Sequence, residues 1–330
     1  MSELRWDPIR REWMITATHR QNRTFKPPED YCPLCPTKEG GYPTEVPAED
    51  YDLVVFENKF PSLQFPPPEP AVEGTALMPV KEPEGICEVV LFTADHDGVM
   101  SRKPLSRFHK LVKVWRDRYR QLGEKDFIDY VFIFENKGEE VGVTLNHPHG
   151  QIYAYPFIPP VIENELNSSQ QHLNHEGSCL FCDVLAEERA EGSRIIAEND
   201  SFTAFVPFTA RFTYEVHLYA KNHIPSFNDF DAQKELDLAR LLKVVLQKYD
   251  NLFGFEFPYI MSIHQQPSDG RGQDYSHFHI EFYPPYRSKD KLKYRAGSES
   301  GAGTFINGTM PEDKAEELRQ SEPGGISHGE

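Results

Sequence analysis

Two histidines stand two residues apart in Asn146-His147-Pro148-His149-Gly150-Gln151, and no other stretch of the chain is better suited to chemistry. Imidazole can ligate a metal or attack as a neutral nucleophile. Its ordinary pKa of about 6.5 leaves most of it neutral at pH 7. Residues two apart on a regular strand share a face, so one ring can serve a metal while the other faces a pocket. Gly150 lets backbone or ligand approach closely, and the Gln151 amide can donate to a phosphoryl oxygen. His149 is therefore the candidate nucleophile. The competing reading is that both rings hold metal and nothing reacts.

Four of the five cysteines form two pairs, Cys32-Pro-Leu-Cys35 and Cys179-Leu-Phe-Cys182. In a cytosolic chain such pairs are zinc ligands or redox dithiols more often than structural disulfides. Structural zinc takes four thiolate or imidazole ligands in a closed tetrahedron. The first half offers Cys32, Cys35, His96 and His147, and the second offers Cys179, Cys182, His223 and His277. Two zinc ions per chain are expected. The second histidine pair, His277-Phe-His279, leads into Ile-Glu281. A carboxylate there would repel an incoming phosphate, so the chemistry is assigned to the first half.

The elements that must position these residues occur twice. Cys87-EVVLFTAD-His96 matches Tyr214-EVHLYAKN-His223, and both alternate with the period of a strand. Each match is preceded by a cysteine pair and followed by a segment with helical apolar spacing. These segments carry Leu105, Phe108, Leu111, Val112, Trp115 and Tyr119, then Leu238, Leu241, Leu242, Val245 and Tyr249. Further strands are expected at 129–136, 151–156, 201–208, 258–264 and 277–284. The fold class is α+β, two tandem halves of mostly antiparallel sheet with flanking helices. The halves are expected at 1–165 and 179–310, with the polar, turn-rich 165–178 between them and a helix and disordered tail at 311–330.

A formal charge of −17 argues against sequence-independent nucleic-acid binding, which depends on a basic surface. No apolar run approaches a membrane span, and the N-terminus lacks the apolar core of a secretory signal, so a cytoplasmic protein is expected.

NHPHGQIYAYPF, FENKG (134–138), CPLC, TADH and HFHIEFYPPYRS together resemble the galactose-1-phosphate uridylyltransferases of the histidine-triad superfamily, from about Trp6 to Arg319. The resemblance implies two histidine-triad-like halves and a homodimer with active sites near the subunit interface. It implies a ping-pong reaction. His149 attacks the α-phosphorus of UDP-glucose, glucose 1-phosphate leaves, and the uridylyl group passes to galactose 1-phosphate. It further implies phosphate or nucleotide contacts for Arg20, Arg23, Asn58, Asn136 and Thr144, and a phosphoryl contact for Gln151. Lys293 and Glu299, in KYRAGSES (293–300), would contact the hexose phosphate. Without the resemblance that stretch reads as a flexible Gly/Ser loop. Lys59 and Ser298 depart from residues frequent in the family, which leaves the sugar open. Some members bind a second metal, zinc or iron, through positions matching Glu165, His264, His277 and His279. The cysteine set competes for His277 and is preferred here because it mirrors the first half. Two other readings remain at this point: an ADP-glucose phosphorylase-like enzyme, and a non-catalytic zinc-stabilised nucleotide-binding module.

Overall fold

The structure, a computed structural model, describes residues 2–22 and 31–321; Arg23 and the tail from 322 onward lie outside the described residues. The chain opens with a hairpin, β1 (Ser2–Asp7) and β2 (Glu12–Ala17), followed by β3 (Val54–Glu57), β4 (Val80–Lys81) and β5 (Ile86–Leu91). Helix α1 (Leu105–Gly123) leads to β6 (Tyr130–Lys137) and β7 (His149–Tyr155). Helices α2 (Pro160–Glu176) and α3 (Leu180–Glu191) follow, then β8 (Ile195–Glu198), β9 (Phe202–Phe205) and β10 (Val216–Ala220). Helix α4 (Ala232–Phe253), β11 (Tyr259–His264), β12 (His279–Tyr283), the small ribbon β13 (Tyr286–Ser288) and β14 (Lys291–Leu292), and α5 (Pro311–Gln320) complete the order.

Nine strands form one sheet in the order β3-β5-β7-β6-β11-β12-β10-β9-β8. Every pairing in it is antiparallel. The first four strands and the next four run in mirrored order about the β6–β11 seam, where Ile133 faces Ile263 and Lys137 faces Tyr259. The duplication read from sequence is thus a pseudo-symmetric sheet whose halves share backbone hydrogen bonds. Both long helices cover one face, α1 against α4. The apolar positions expected on them are buried, apart from the half-buried Leu105, and they join Val131, Ile133, Ile152, Met261, Ile263 and Phe282 in one core cluster that crosses the seam. Alternation sends Phe132, Phe134, Gln151, Tyr153 and Tyr155 to the opposite face, where they remain half-buried.

The segment expected to be a turn-rich link is mostly helix. Helix α2 starts with proline in its first turn and ends at Gly177, whose φ of 74° closes the last turn. It buries only Ile162, Leu166 and Ser169, one narrow stripe, so its composition reads as polar. The first turn of α3 carries the second cysteine pair.

Candidate active site and metal-binding groups

Strand β7 begins at His149, with Leu91 of β5 opposite His149 and Val89 opposite Gln151. The preceding turn is anchored by Phe92 N–H donating to the Pro148 carbonyl at 3.0 Å. His149 Nδ1–H donates to the carbonyl of His147 at 2.7 Å. That bond selects the tautomer with the lone pair on Nε2. Gly150 is required by space. A Cβ there would lie 2.9 Å from Phe92 Cζ and 3.1 Å from the Phe134 carbonyl oxygen.

Two cavities meet at His149. One, of about 140 Å³, is lined by Arg20, Asn58, Gln151 and His149 among others. The other, of about 310 Å³, is lined by Asn136, Lys137, Asn146 and His149 among others. Arg20 is aimed by donating to the Phe60 carbonyl at 2.8 Å. Asn58 Oδ1 accepts from Phe60 N–H at 2.9 Å, which leaves its amide hydrogens as donors. Thr144 Oγ1 is buried without a hydrogen-bond partner among the described residues. Lys293 and Glu299 lie elsewhere in the chain. They pair with each other at 3.3 Å, and Glu299 lines a separate cleft with Trp6, Arg11 and Asn164. Residues 298–302 form one wide helical turn rather than a featureless loop.

Among the described residues, three groups of metal-competent side chains come together, each with its ligand atoms within 4.8 Å of one another. The first is Cys32, Cys35, His96 and His147. His147 Nδ1 lies 3.9 Å from Cys32 Sγ and 3.6 Å from Cys35 Sγ, and His96 Nδ1 lies 3.5 Å from Cys35 Sγ. Burial pushes the His147 imidazole down to about 4, so it is the neutral form a metal needs. Its Nε2–H faces the Thr93 carbonyl and the Tyr51 hydroxyl, each at 2.7 Å. The second group is Cys179, Cys182, His223 and His277. Here His277 Nδ1 lies 3.6 Å from both sulfurs, and its Nε2–H donates to the Ala220 carbonyl at 2.9 Å.

The third group is Glu165, His264, His279 and Glu281. The alternative set with His277 is therefore not the one brought together, because His277 turns to the sulfurs and Glu281 takes its place. The two sets no longer compete. Glu281 stands two residues after His279 on β12, so strand alternation was the signal that could have found it. His264 Nδ1 lies 3.0 Å from Glu165, and its Nε2 lies 3.8 Å from Glu281. Burial alone would push His264 down, but the two carboxylates raise it to about 9. Burial and the neighbouring His264 push His279 down to about 4. His279 repeats the geometry of His149, its Nδ1–H donating to the His277 carbonyl at 2.8 Å. It is 2% exposed and ringed by carboxylates, so the second half keeps the frame of the first without an accessible nucleophile.

This arrangement defines a class of protein in which a tautomer-fixed imidazole stands at a cavity with phosphate-competent donors, beside closed cysteine–histidine groups. Comparison with known proteins narrows it. Residues 1–159 match the galactose-1-phosphate uridyl transferase N-terminal domain, and residues 165–322 match the C-terminal domain of the same family. The chain belongs to the galactose-1-phosphate uridylyltransferase family. It is 44% identical over 323 residues to the galactose-1-phosphate uridylyltransferase of Thermotoga maritima, covering 98% of this chain and 99% of that one. It is 37% identical to the Streptomyces lividans galactose-1-phosphate uridylyltransferase, over 86% of this chain and 77% of the other. A solved uridylyltransferase superposes with a TM-score of 0.86 at 34% identity, over 97% of this chain and 98% of that one. An ADP-glucose phosphorylase from Arabidopsis thaliana, solved with bound ADP-glucose, superposes with a TM-score of 0.72 at 26% identity, over 97% and 99%.

Proposed function

We propose that this protein transfers UMP from UDP-glucose to galactose 1-phosphate through a uridylyl-His149 intermediate. The observation that carries the reading is the 2.7 Å bond from His149 Nδ1–H to the His147 carbonyl, at a cavity shared with Arg20, Asn58 and Gln151. His149 Nε2 attacks the α-phosphorus. The phosphoanhydride bond breaks and its electron pair leaves on glucose 1-phosphate, which needs no proton. The proton stays on Nδ1, hydrogen-bonded to the His147 carbonyl, so the uridylyl-imidazolium is stabilised without proton transfer. A phosphate oxygen of galactose 1-phosphate then attacks the same phosphorus, and His149 leaves neutral. Gln151 and Arg20 stabilise the charge on the phosphoryl oxygens; single donors of this kind contribute about 10²–10³ in rate. Asn136 acts from the second cavity, and Thr144 and Arg23 are proposed by family position alone.

Zinc suits the first two groups by donor chemistry, two sulfurs and two imidazoles each, with His147 and His277 oriented by carbonyls behind them. Bound zinc would fix the turns that carry His147 and the second cysteine pair, and supplies no reacting group. Glu165, His264, His279 and Glu281 are a harder donor set that suits zinc or iron. Lys293 and Glu299 act on the hexose phosphate from a second copy of the chain, so we propose a homodimer; neither residue lines a cavity at His149 of its own chain. No helix among the described residues is long and apolar enough to cross a membrane, and a cytoplasmic location fits that composition.

The test is intact-mass spectrometry after brief incubation with UDP-glucose and no acceptor. A UMP adduct that galactose 1-phosphate removes, and that His149→Ala abolishes with metal content unchanged, supports the reading. An AMP adduct from ADP-glucose instead moves the chain to the phosphorylase chemistry. No adduct from either donor refutes transfer through His149.

A further inference from the structure

Hydrogen-bond accounting in the smaller cavity beside His149 leaves one conspicuous acceptor. Among the described residues, its charged side chains are Arg20, Glu45 and Lys59. Arg20 and Lys59 can only donate. Asn58 has committed its oxygen to Phe60 N–H. Gln151 Oε1 faces the Tyr153 hydroxyl at 3.5 Å, and Tyr31 donates its own hydroxyl to the Pro43 carbonyl at 3.4 Å. Leu34, Phe56 and Val89 supply apolar walls suited to a flat base. A nucleoside also carries two ribose hydroxyls, which must donate to something when they leave water.

Glu45 is the carboxylate on that cavity's wall. Its backbone N–H donates to the Pro33 carbonyl at 2.9 Å, which ties its loop to the first cysteine turn. Lys59 Nζ donates to Glu45 Oε1 at 2.8 Å, so the carboxylate is oriented and its second oxygen remains as an acceptor. Its side chain is 27% exposed, covered enough to be held.

We propose that Glu45, oriented by Lys59, accepts the ribose hydroxyls of the nucleotide and makes the site selective for ribonucleotide donors. This rests on the nucleotidyl-transfer reading above. Carboxylates hold sugar diols well because ionised acceptors make stronger bonds than neutral ones.

The test compares UDP-glucose with its 2′,3′-dideoxyribose analogue in the mass-shift assay, reading kcat/KM for adduct formation. The wild type should prefer the ribose donor by at least about tenfold. Glu45→Gln should shrink that preference and Glu45→Ala should abolish it, through a fall with the ribose donor alone. An unchanged rate with the dideoxy donor, together with unchanged metal content, shows that the variants are folded. Equal losses with both donors, or an intact preference in Glu45→Ala, overturns the proposal while leaving the transfer reading standing. No adduct from either donor in the wild type overturns the transfer reading and this proposal with it.

Discussion

Glu135→Gln should make the protein's stability less dependent on pH, by an amount the structure allows to be worked out. Glu135 is 6% exposed on β6 and accepts the Tyr259 hydroxyl at 3.1 Å. Burial raises its carboxyl from 4.5 to about 7, against the opposing pull of Lys137 and the Tyr259 bond. Between these two values the folded protein holds a proton that the unfolded chain has released. The favourable contribution is therefore complete below about 4.5, and it is lost as pH rises through 7. At about 1.4 kcal/mol per tenfold, the change between pH 5 and pH 8 is about 2–3 kcal/mol. Glutamine keeps the size and an oxygen for Tyr259 but cannot ionise. Urea unfolding of both proteins at pH 5 and pH 8 gives the difference of differences, in which other titrations cancel. The variant should gain on the wild type by that amount at the higher pH. Parallel stabilities at the two pH values would refute the reasoning, because Glu135 would then share one ionisation state throughout. Glu135 also lines the larger cavity beside His149, so adduct formation on the same samples separates stability from chemistry.

Three further outcomes are expected. Gly150→Ala should cost about 1–3 kcal/mol of stability and most of the adduct-forming rate, since the buried Phe92 ring and the Phe134 carbonyl leave no room for a methyl group; calorimetry and the mass-shift assay check this, and a wild-type rate would refute it. Cys179→Ser should lower zinc by about one per chain by elemental analysis; wild-type protein with a single zinc would overturn the second assignment. Tyr51→Phe removes one of the two oxygens facing His147 Nε2 and should weaken the first metal site about tenfold or more in chelator competition, leaving the second site unchanged.

Much of the site was legible along the chain because its parts are short. The turn carrying Cys32 and Cys35, the strand-end His96 and His223, and the His-x-His pairs each occupy a few consecutive residues. Their repetition showed which parts belong together. Helices α1 and α4 were legible for the same reason, each having a broad apolar stripe of regular period. Helix α2 was not, because three buried positions in 17 residues leave a composition that looks like a linker. Tyr51 and Glu45 carried no local signal at all. Each acts through a partner 96 and 14 residues away, and only chain folding sets those distances.

By itself, then, the sequence determined the duplication, the α+β class, the residue proposed as nucleophile and the two cysteine–histidine sets that the structure brings together, since covalent spacing and strand or helix period decide them. Tertiary structure alone decided that the two halves pair edge to edge through β6 and β11. It decided that Glu281 rather than His277 joins Glu165, His264 and His279, and that Lys293 and Glu299 stand apart from the His149 cavities. The physical reason is common to all three. Spacing fixes which way a side chain points from its own strand or turn, but which side chains meet is set by sheet register and packing between segments far apart in the chain.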